Sequence, residues 1–160
     1  MTSWSAVAAA LFAGIGLVFA GIQLLLSRRL DSNERRIALE GVAVTWRARE
    51  HPDHADADGT AEWLYEITLH NPARLPIERI QVRMHFPCPV RRVHYSRRVD
   101  EATQTLTLQY PVLAGLAKET WRRRLRIDFA ADSELFKTWA EITFHDVEGV
   151  EHANRWPRTG

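Results

Sequence analysis

The amino-acid sequence predicts a mainly β protein that is preceded by one N-terminal transmembrane helix. From about residue 4 to residue 26, the one strongly polar side chain is Gln23. Beyond residue 40, apolar residues recur at every second position, which is the period of a β-strand. The roughly 120 residues that remain suit one domain with its own hydrophobic core. The predicted organisation is a transmembrane anchor (1–26), a juxtamembrane stalk (27–39) and a β-sandwich domain (40–160).

The apolar run is long enough to cross a bilayer. At 1.5 Å per residue, about 23 helical residues span roughly 34 Å, which exceeds the hydrocarbon core. A cleaved signal peptide is the competing interpretation, but no basic residue precedes the run. Basic residues favour the cytoplasmic side, and four arginines follow the run at positions 28, 29, 35 and 36. We therefore expect a single-pass membrane protein with a cytoplasmic C-terminal domain; nearby acidic residues leave the opposite orientation open.

Small residues form a stripe along the predicted anchor. Ala6, Ala10 and Gly14 recur at every fourth position and therefore share one helical face. Such a face lets a second helix approach closely, so homo-oligomerisation or contact with another membrane protein is one interpretation. A plain anchor is the other, because alanine and glycine are common throughout this run.

The first three strands have the clearest patterns. Val42, Val44 and Trp46 alternate with small or polar residues, which predicts a strand over 41–49. Stronger alternation predicts strands over 63–69 and 80–86. The segment between them contains two prolines, which cannot donate to a β-ladder, so it is predicted to be a loop.

The rest of the chain continues in short strands. These are predicted at 90–95, 105–110, 121–129, 139–145 and 152–156. One helical turn is predicted at 130–136, with Asp132 or Ser133 as its cap. Seven or eight strands separated by turns indicate an antiparallel sandwich of immunoglobulin-like or fibronectin-like type, and a small barrel is the alternative. Trp63 and Trp139 can lie on either face, and the predicted core comprises Trp46, Ile67, Val82, Phe86, Leu108, Ile127, Ile142 and Phe144.

Two motifs carry a resemblance to known proteins. The first runs from Ile67-Thr68-Leu69-His70-Asn71-Pro72 through Leu75-Pro76-Ile77, and the second joins Phe144-x-Asp146-x-x-Gly149 to Arg155-Trp156-x-Arg158. In these motifs the sequence resembles uncharacterised small single-pass membrane proteins of GC-rich bacteria with an immunoglobulin-like β-sandwich domain. The resemblance implies a β-sandwich fold and implies no activity.

Composition excludes several classes of function. The formal net charge is +1, so no bulk electrostatic attraction to nucleic acid is expected. The single cysteine, Cys88, excludes an intrachain disulfide and a zinc site built from several thiolates. The sequence has no nucleophile elbow, phosphate-binding glycine loop or His-Glu-x-x-His motif. We predict a protein that is not an enzyme and that carries no metal or cofactor.

The loop from His51 to Asp58 is the one segment that favours a different function. It contains two histidines and three aspartates, which are ligands of zinc and calcium. Aligned on a calcium-binding EF-hand loop, however, His54 would take the first ligand position and Tyr65 the twelfth, and neither suits it. A solvated hairpin loop is the leading interpretation, and a metal-dependent hydrolase is the alternative.

Two arginine clusters are the candidate binding residues. One cluster brackets a predicted hairpin, and the other alternates along one face of a predicted strand: Arg91, Arg92, Arg97 and Arg98, and Arg122, Arg124 and Arg126. Such arginines can contact an acidic protein surface or anionic lipid headgroups, or they can simply be solvated. The expected function is a membrane-tethered, non-enzymatic interaction module that binds a protein partner, with a scaffold that contacts anionic lipid as a further alternative.

Overall fold

The structure is a computed structural model that describes Gln23, Glu34 and residues 36–157. The chain divides into two units, Met1–Ile37 and Ala38–Gly160. Apart from Gln23, the predicted anchor lies outside the described residues, and so does its stripe of small residues at positions 6, 10 and 14. In the described part of the chain, no helix is both long and apolar enough to span a membrane.

The second unit is mainly β and antiparallel. Residues 38–40 are helical, and a turn at Gly41 leads into the first strand. The elements that follow are β1 (Ala43–Glu50), β2 (Thr60–His70), β3 (Ile77–Val93), β4 (Thr103–Leu113), β5 (Lys118–Asp128), a 3₁₀ helix (Phe129–Lys137), β6 (Trp139–His145) and β7 (Glu151–Trp156).

One curled sheet contains all seven of these strands. Its order is β1-β2-β5-β3-β6-β7, and β4 also pairs with β3. Up to His85, β3 pairs with β4 and β6; from Val90 to Val93 it pairs with β5, and Val90 is also in register with Thr103 of β4. The change of partner coincides with Phe86-Pro87-Cys88-Pro89, whose prolines cannot donate to a ladder. The prediction of separate strands at 80–86 and 90–95 was therefore wrong, because one bent strand pairs with β4 and β6 before the bend and with β5 after it.

The curled sheet has two halves, one formed by β1, β2 and β5 and the other by β3, β4, β6 and β7, and their apolar faces pack together. Tyr65 on β2 meets Phe86 edge to face at 5.9 Å between ring centroids, and Tyr110 on β4 meets Trp121 on β5 at 6.1 Å. Trp63 is 1% exposed and belongs to this core. Seven of the predicted core residues are buried as expected: Ile67, Val82, Phe86, Leu108, Ile127, Ile142 and Phe144.

Two tryptophans lie less deeply. Trp46 was predicted to be a core residue, but it is only partly buried and packs against the core from outside. The reason is that β1, which carries Trp46, is the first strand of the sheet order. Trp139 lies on the outer face, stacked on His85 at 3.9 Å and covered by the Arg155 guanidinium at 4.0 Å.

The two ends of the sheet order are joined by side chains. Asn154 on β7 donates from Nδ2 to the carbonyl oxygens of Leu39 and Val42, at 2.9 and 3.0 Å. Trp156 donates from Nε1 to the same Val42 oxygen at 2.9 Å. The backbone that leads into β1 is therefore fixed by the last strand.

The 3₁₀ helix has a different cap from the predicted one. It begins at Phe129, and the Asp128 carboxylate accepts a hydrogen bond from the Ala130 amide at 3.0 Å. The expected caps, Asp132 and Ser133, lie inside the helix because it starts earlier than the sequence pattern indicated. Asp128 therefore ends β5 and caps the next element.

A buried asparagine organises the loop between β2 and β3. Asn71 is fully buried and donates from Nδ2 to the carbonyl oxygens of Leu75 and Ala114, at 3.0 and 3.1 Å. Its Oδ1 accepts from the Ala73 amide at 3.0 Å. The Asn71 side chain thus ties this loop to the β4–β5 loop, where Gly115 lies directly against the Arg74 backbone.

Candidate functional site

The strongest charge cluster lies on the outer face of β2. Alternation along β2 directs Trp63, Tyr65 and Ile67 to the core and leaves Glu66 on the opposite face. Since β2 lies between β1 and β5, Glu66 is in register with Arg47 on one side and Arg122 on the other. Sheet register therefore places one carboxylate between arginines of two neighbouring strands.

Three guanidinium groups surround the Glu66 carboxylate. Arg47 Nη2 lies 2.7 Å from Oε1, Arg49 Nη2 lies 2.9 Å from Oε2, and Arg122 Nε lies 3.6 Å from Oε2. The Glu66 side chain is only 9% exposed, whereas those of Arg47 and Arg122 are 63% and 71% exposed. We call Arg47, Arg49, Arg122 and Arg124, together with Glu66, the arginine face.

The hydrogen bonds from Arg47 and Arg49 lower the pKa of Glu66 from 4.5 to about 2. A carboxyl group whose pKa is lower in the folded than in the unfolded state stabilises the fold above the unfolded pKa. That stabilisation is lost as the pH falls through the folded value. The contribution of Glu66 is therefore complete at neutral pH and disappears between about pH 4.5 and pH 2.

Replacing Glu66 by glutamine is expected to lower the urea midpoint of unfolding at pH 7. The difference from the wild type should shrink as the pH falls from about 4.5 towards 2 and vanish below about pH 2, where Glu66 becomes protonated in both the folded and the unfolded state. Tryptophan fluorescence of the full chain would follow the transition. Glu101→Gln, at an exposed position, is the matched control and should leave the midpoint unchanged. A difference that persisted unchanged at pH 2 would contradict this origin of the stabilisation.

The other end of β5 is electrically balanced. Arg126 lies 3.1 Å from Glu62, 3.7 Å from Asp56 and 4.0 Å from Asp58. Its side chain is 29% exposed, less than that of Arg124, which is 52% exposed. Arg126 therefore joins the β1–β2 loop to the sheet and adds little positive charge to the surface.

The structure separates the predicted arginine sites. Arg122, Arg124 and Arg126 share one face, as the alternation predicted, and Arg91 lies opposite Arg126 in the β3–β5 ladder. Arg92 is in register with buried Leu125 and therefore lies on the other face. Arg91 and Arg92 therefore do not share one surface, because neighbours in a strand point to opposite faces.

The remaining two predicted arginines lie in the turn after β3. Arg97 adopts a φ of 65°, and its amide donates to the His94 carbonyl at 2.9 Å. Arg97 also lines a cavity of about 420 Å³ together with Arg126 and the β1–β2 loop. Arg98 has a 79% exposed side chain and lies 3.9 Å from Asp100. This turn is therefore separate from the arginine face.

Asp56 and Asp58, in the loop between β1 and β2, have structural partners. Asp58 accepts hydrogen bonds from the Thr60 amide and hydroxyl, at 3.1 and 2.7 Å, and these bonds lower its pKa. Gly59, with a φ of 78°, completes the turn. Within the described ranges, which include this whole loop, no group of three or more histidine, cysteine, aspartate or glutamate side chains is placed to hold a metal ion.

Sequence reasoning missed three members of the arginine face. Arg47 and Arg49 alternate with Trp46 and Ala48, and Glu66 lies between buried Tyr65 and Ile67. This alternation alone predicts that the side chains of Arg47, Arg49 and Glu66 point away from the core. Their proximity to Arg122 was not, because it depends on β2 pairing with both β1 and β5.

Comparisons with known proteins give no family for the chain. No protein-family model matches it, and no curated protein matches it. A Bordetella pertussis protein provisionally described as ApaA is similar in structure, with 13% identity, a TM-score of 0.43 and coverage of 74% of this chain and 95% of that one. A FixG-related protein from Vibrio parahaemolyticus has 10% identity, a TM-score of 0.34 and coverage of 71% and 91%. The sporulation control protein Spo0M from Bacillus subtilis has 6% identity, a TM-score of 0.36 and coverage of 71% and 46%. Similarities this weak carry no argument about the function of this chain.

Proposed function

We propose that this chain is a membrane-tethered, non-enzymatic module that binds an acidic protein segment through its arginine face. The observation that carries the proposal is the excess of exposed guanidinium groups around one shielded carboxylate. Arg47, Arg49 and Arg122 share Glu66, and each keeps a side chain that is at least 46% exposed. Guanidinium groups with remaining free donors match the geometry of carboxylates in a partner.

Glu66 has a positioning role in this proposal. Its carboxylate accepts hydrogen bonds from Arg47 and Arg49, at 2.7 and 3.0 Å, and thereby limits the side-chain freedom of both. Ordering long side chains before binding reduces the entropy lost on association. A shallow pocket of about 240 Å³ lies beside Glu66 and is lined by Thr45, Trp46, Arg47 and Thr68. It offers room for one side chain of the acidic segment.

The domain type and the tether belong to the same proposal. We propose that the domain is an immunoglobulin-like sandwich. The strand orders β1-β2-β5 and β3-β6-β7 support this, because strands A, B, E and C, F, G of that fold have the same order. The fourth strand joins the second half, beside β3. The apolar run over 4–26 supports a single membrane anchor, and the arginines that follow it support a cytoplasmic domain.

A labelled oligoglutamate peptide would test the arginine face. The full chain, placed in discs of neutral phosphatidylcholine, is expected to bind this probe with an affinity that falls as salt is added. Replacing Arg122 and Arg124 together by serine should weaken binding about tenfold. Replacing Arg74 and Arg83, which are exposed elsewhere, removes the same charge and should have little effect.

Two outcomes would contradict the proposal. If both double variants weaken binding equally, the probe senses net charge rather than this face. If adding phosphatidylserine to the discs abolishes binding of the probe to the wild type, the arginines rest on anionic lipid and a protein ligand is not their partner.

A further inference from the structure

The outer edge of β4 is unpaired in the described part of the sheet. Among the described strands, β4 pairs with β3 alone, so its second edge presents backbone amide and carbonyl groups that take part in no ladder. Such an edge is a template for another strand. The edge is long, because β4 runs over 11 residues.

Over residues 103–110 this edge also lacks the usual protection against pairing, and Pro111, near the end of β4, is the one residue of the strand without a backbone amide to donate. No residue of Thr103–Leu113 is charged. The strands that end the sheet order do carry charges, with Arg47 and Arg49 on β1 and Glu151 and Arg155 on β7. Charged side chains on edge strands normally discourage association between molecules. Within the described part of the sheet, β4 is therefore the edge best suited to a partner strand.

The sequence of β4 is self-complementary in an antiparallel pair. If two copies meet about Thr107, the threonines lie opposite each other, Leu106 lies opposite Leu108, and Thr105 lies opposite Gln109. Leu106 and Leu108 are 6% and 3% exposed and belong to the inner row, so the apolar row would continue from one copy into the next. Cross-strand threonine pairs and apolar pairs stabilise sheets.

We propose that two copies of this chain associate through their β4 edges, as an antiparallel pair with its two-fold axis at Thr107. A second copy fits better than a foreign strand because a two-fold interface requires a self-complementary surface, and this strand has one. Because β4 carries no charged residue, no like charges would lie directly opposite each other in the pair of β4 strands. This inference goes beyond the proposed function, and β4 belongs to the half of the sheet that does not contain the arginine face.

Cysteine cross-linking in native membranes tests the two-fold axis directly. In the full chain with Cys88→Ala, the Thr107→Cys variant should form a covalent dimer on oxidation, because the two thiols would face each other. Ala153→Cys, an exposed position on edge strand β7, is the matched control and should remain monomeric. Equal cross-linking at both positions, or none at Thr107→Cys, would overturn the proposal. A product with the mass of a different partner would overturn it as well.

A charge substitution tests the same pairing without cross-linking. Thr107 is exposed and in register with Arg83, so Thr107→Glu is compatible with the monomer fold, which circular dichroism would verify. In the dimer it places two carboxylates opposite each other. Sedimentation of the full chain in a neutral detergent should show the dimer dissociating about tenfold more readily, whereas Ala153→Glu should match the wild type. A dimer unaffected by Thr107→Glu would show that the interface lies elsewhere.

Discussion

Replacing Asn71 by alanine is expected to lower the free energy of unfolding by about 3 kcal/mol. The Asn71 side chain is fully buried and is held by the Leu75 and Ala114 carbonyl oxygens and by the Ala73 amide. Alanine removes all of these hydrogen bonds at once, and it leaves buried or partly buried backbone groups without a partner. An unsatisfied buried polar group costs more than the net value of the bond it has lost.

Urea unfolding of the full chain in a non-ionic detergent, followed by tryptophan fluorescence, would measure this loss. Gln81→Ala is the control, because the Gln81 side chain accepts an exposed hydrogen bond from Arg83 at 3.3 Å. It should change the free energy of unfolding by less than about 0.5 kcal/mol. If Asn71→Ala costs no more than Gln81→Ala, the side chain does not hold the two loops together.

Replacing Gly115 by alanine is expected to destabilise the protein by about 3 kcal/mol. A Cβ atom at this position would lie 2.0 Å from the Arg74 carbonyl oxygen and 2.3 Å from its carbon. Both are backbone atoms, so no rotation of a side chain can relieve the contact. The two loops would have to separate, which would also strain the Asn71 hydrogen bond to Ala114.

Gly149→Ala separates this steric effect from backbone strain. Gly149 has a φ of 77°, and no atom lies within 4 Å of the position that a Cβ would take, so alanine meets backbone strain there without a clash. The expected cost is about 1 kcal/mol. Thermal unfolding of both variants should therefore rank Gly115→Ala as clearly less stable. Equal losses would mean that the loops separate easily and that the close approach to Arg74 has little energetic value.

The positions of the strands could largely be predicted from the sequence. Alternation identified β2, β5 and β6 because their inner rows are apolar and their outer rows polar. It did not distinguish an end from a bend over Phe86-Pro87-Cys88-Pro89, where separate strands were predicted on either side and the structure has one bent strand. A local pattern cannot distinguish a bend from an end, because both interrupt the same ladder.

The candidate site could be predicted only in part. The outward alternation of Arg122, Arg124 and Arg126 follows from the strand period alone. The role of Glu66 does not, because its arginine neighbours lie on strands that are far away in sequence and are selected by sheet order. The opposite directions of Arg91 and Arg92 required the register of the β3–β5 ladder.

The contacts of Asn154 and Trp156 with the Val42 carbonyl have a consequence for biosynthesis. The chain leaves the ribosome N-terminal end first, so β1 emerges more than a hundred residues before the side chains that fix the backbone in front of it. Until β7 has been synthesised, β1 can pair with β2, but the backbone that leads into β1 lacks the hydrogen bonds that β7 provides. Contacts of such long sequence separation also slow folding. A nascent chain stalled before β7 should therefore be digested by protease at β1, and release of the last strand should protect it.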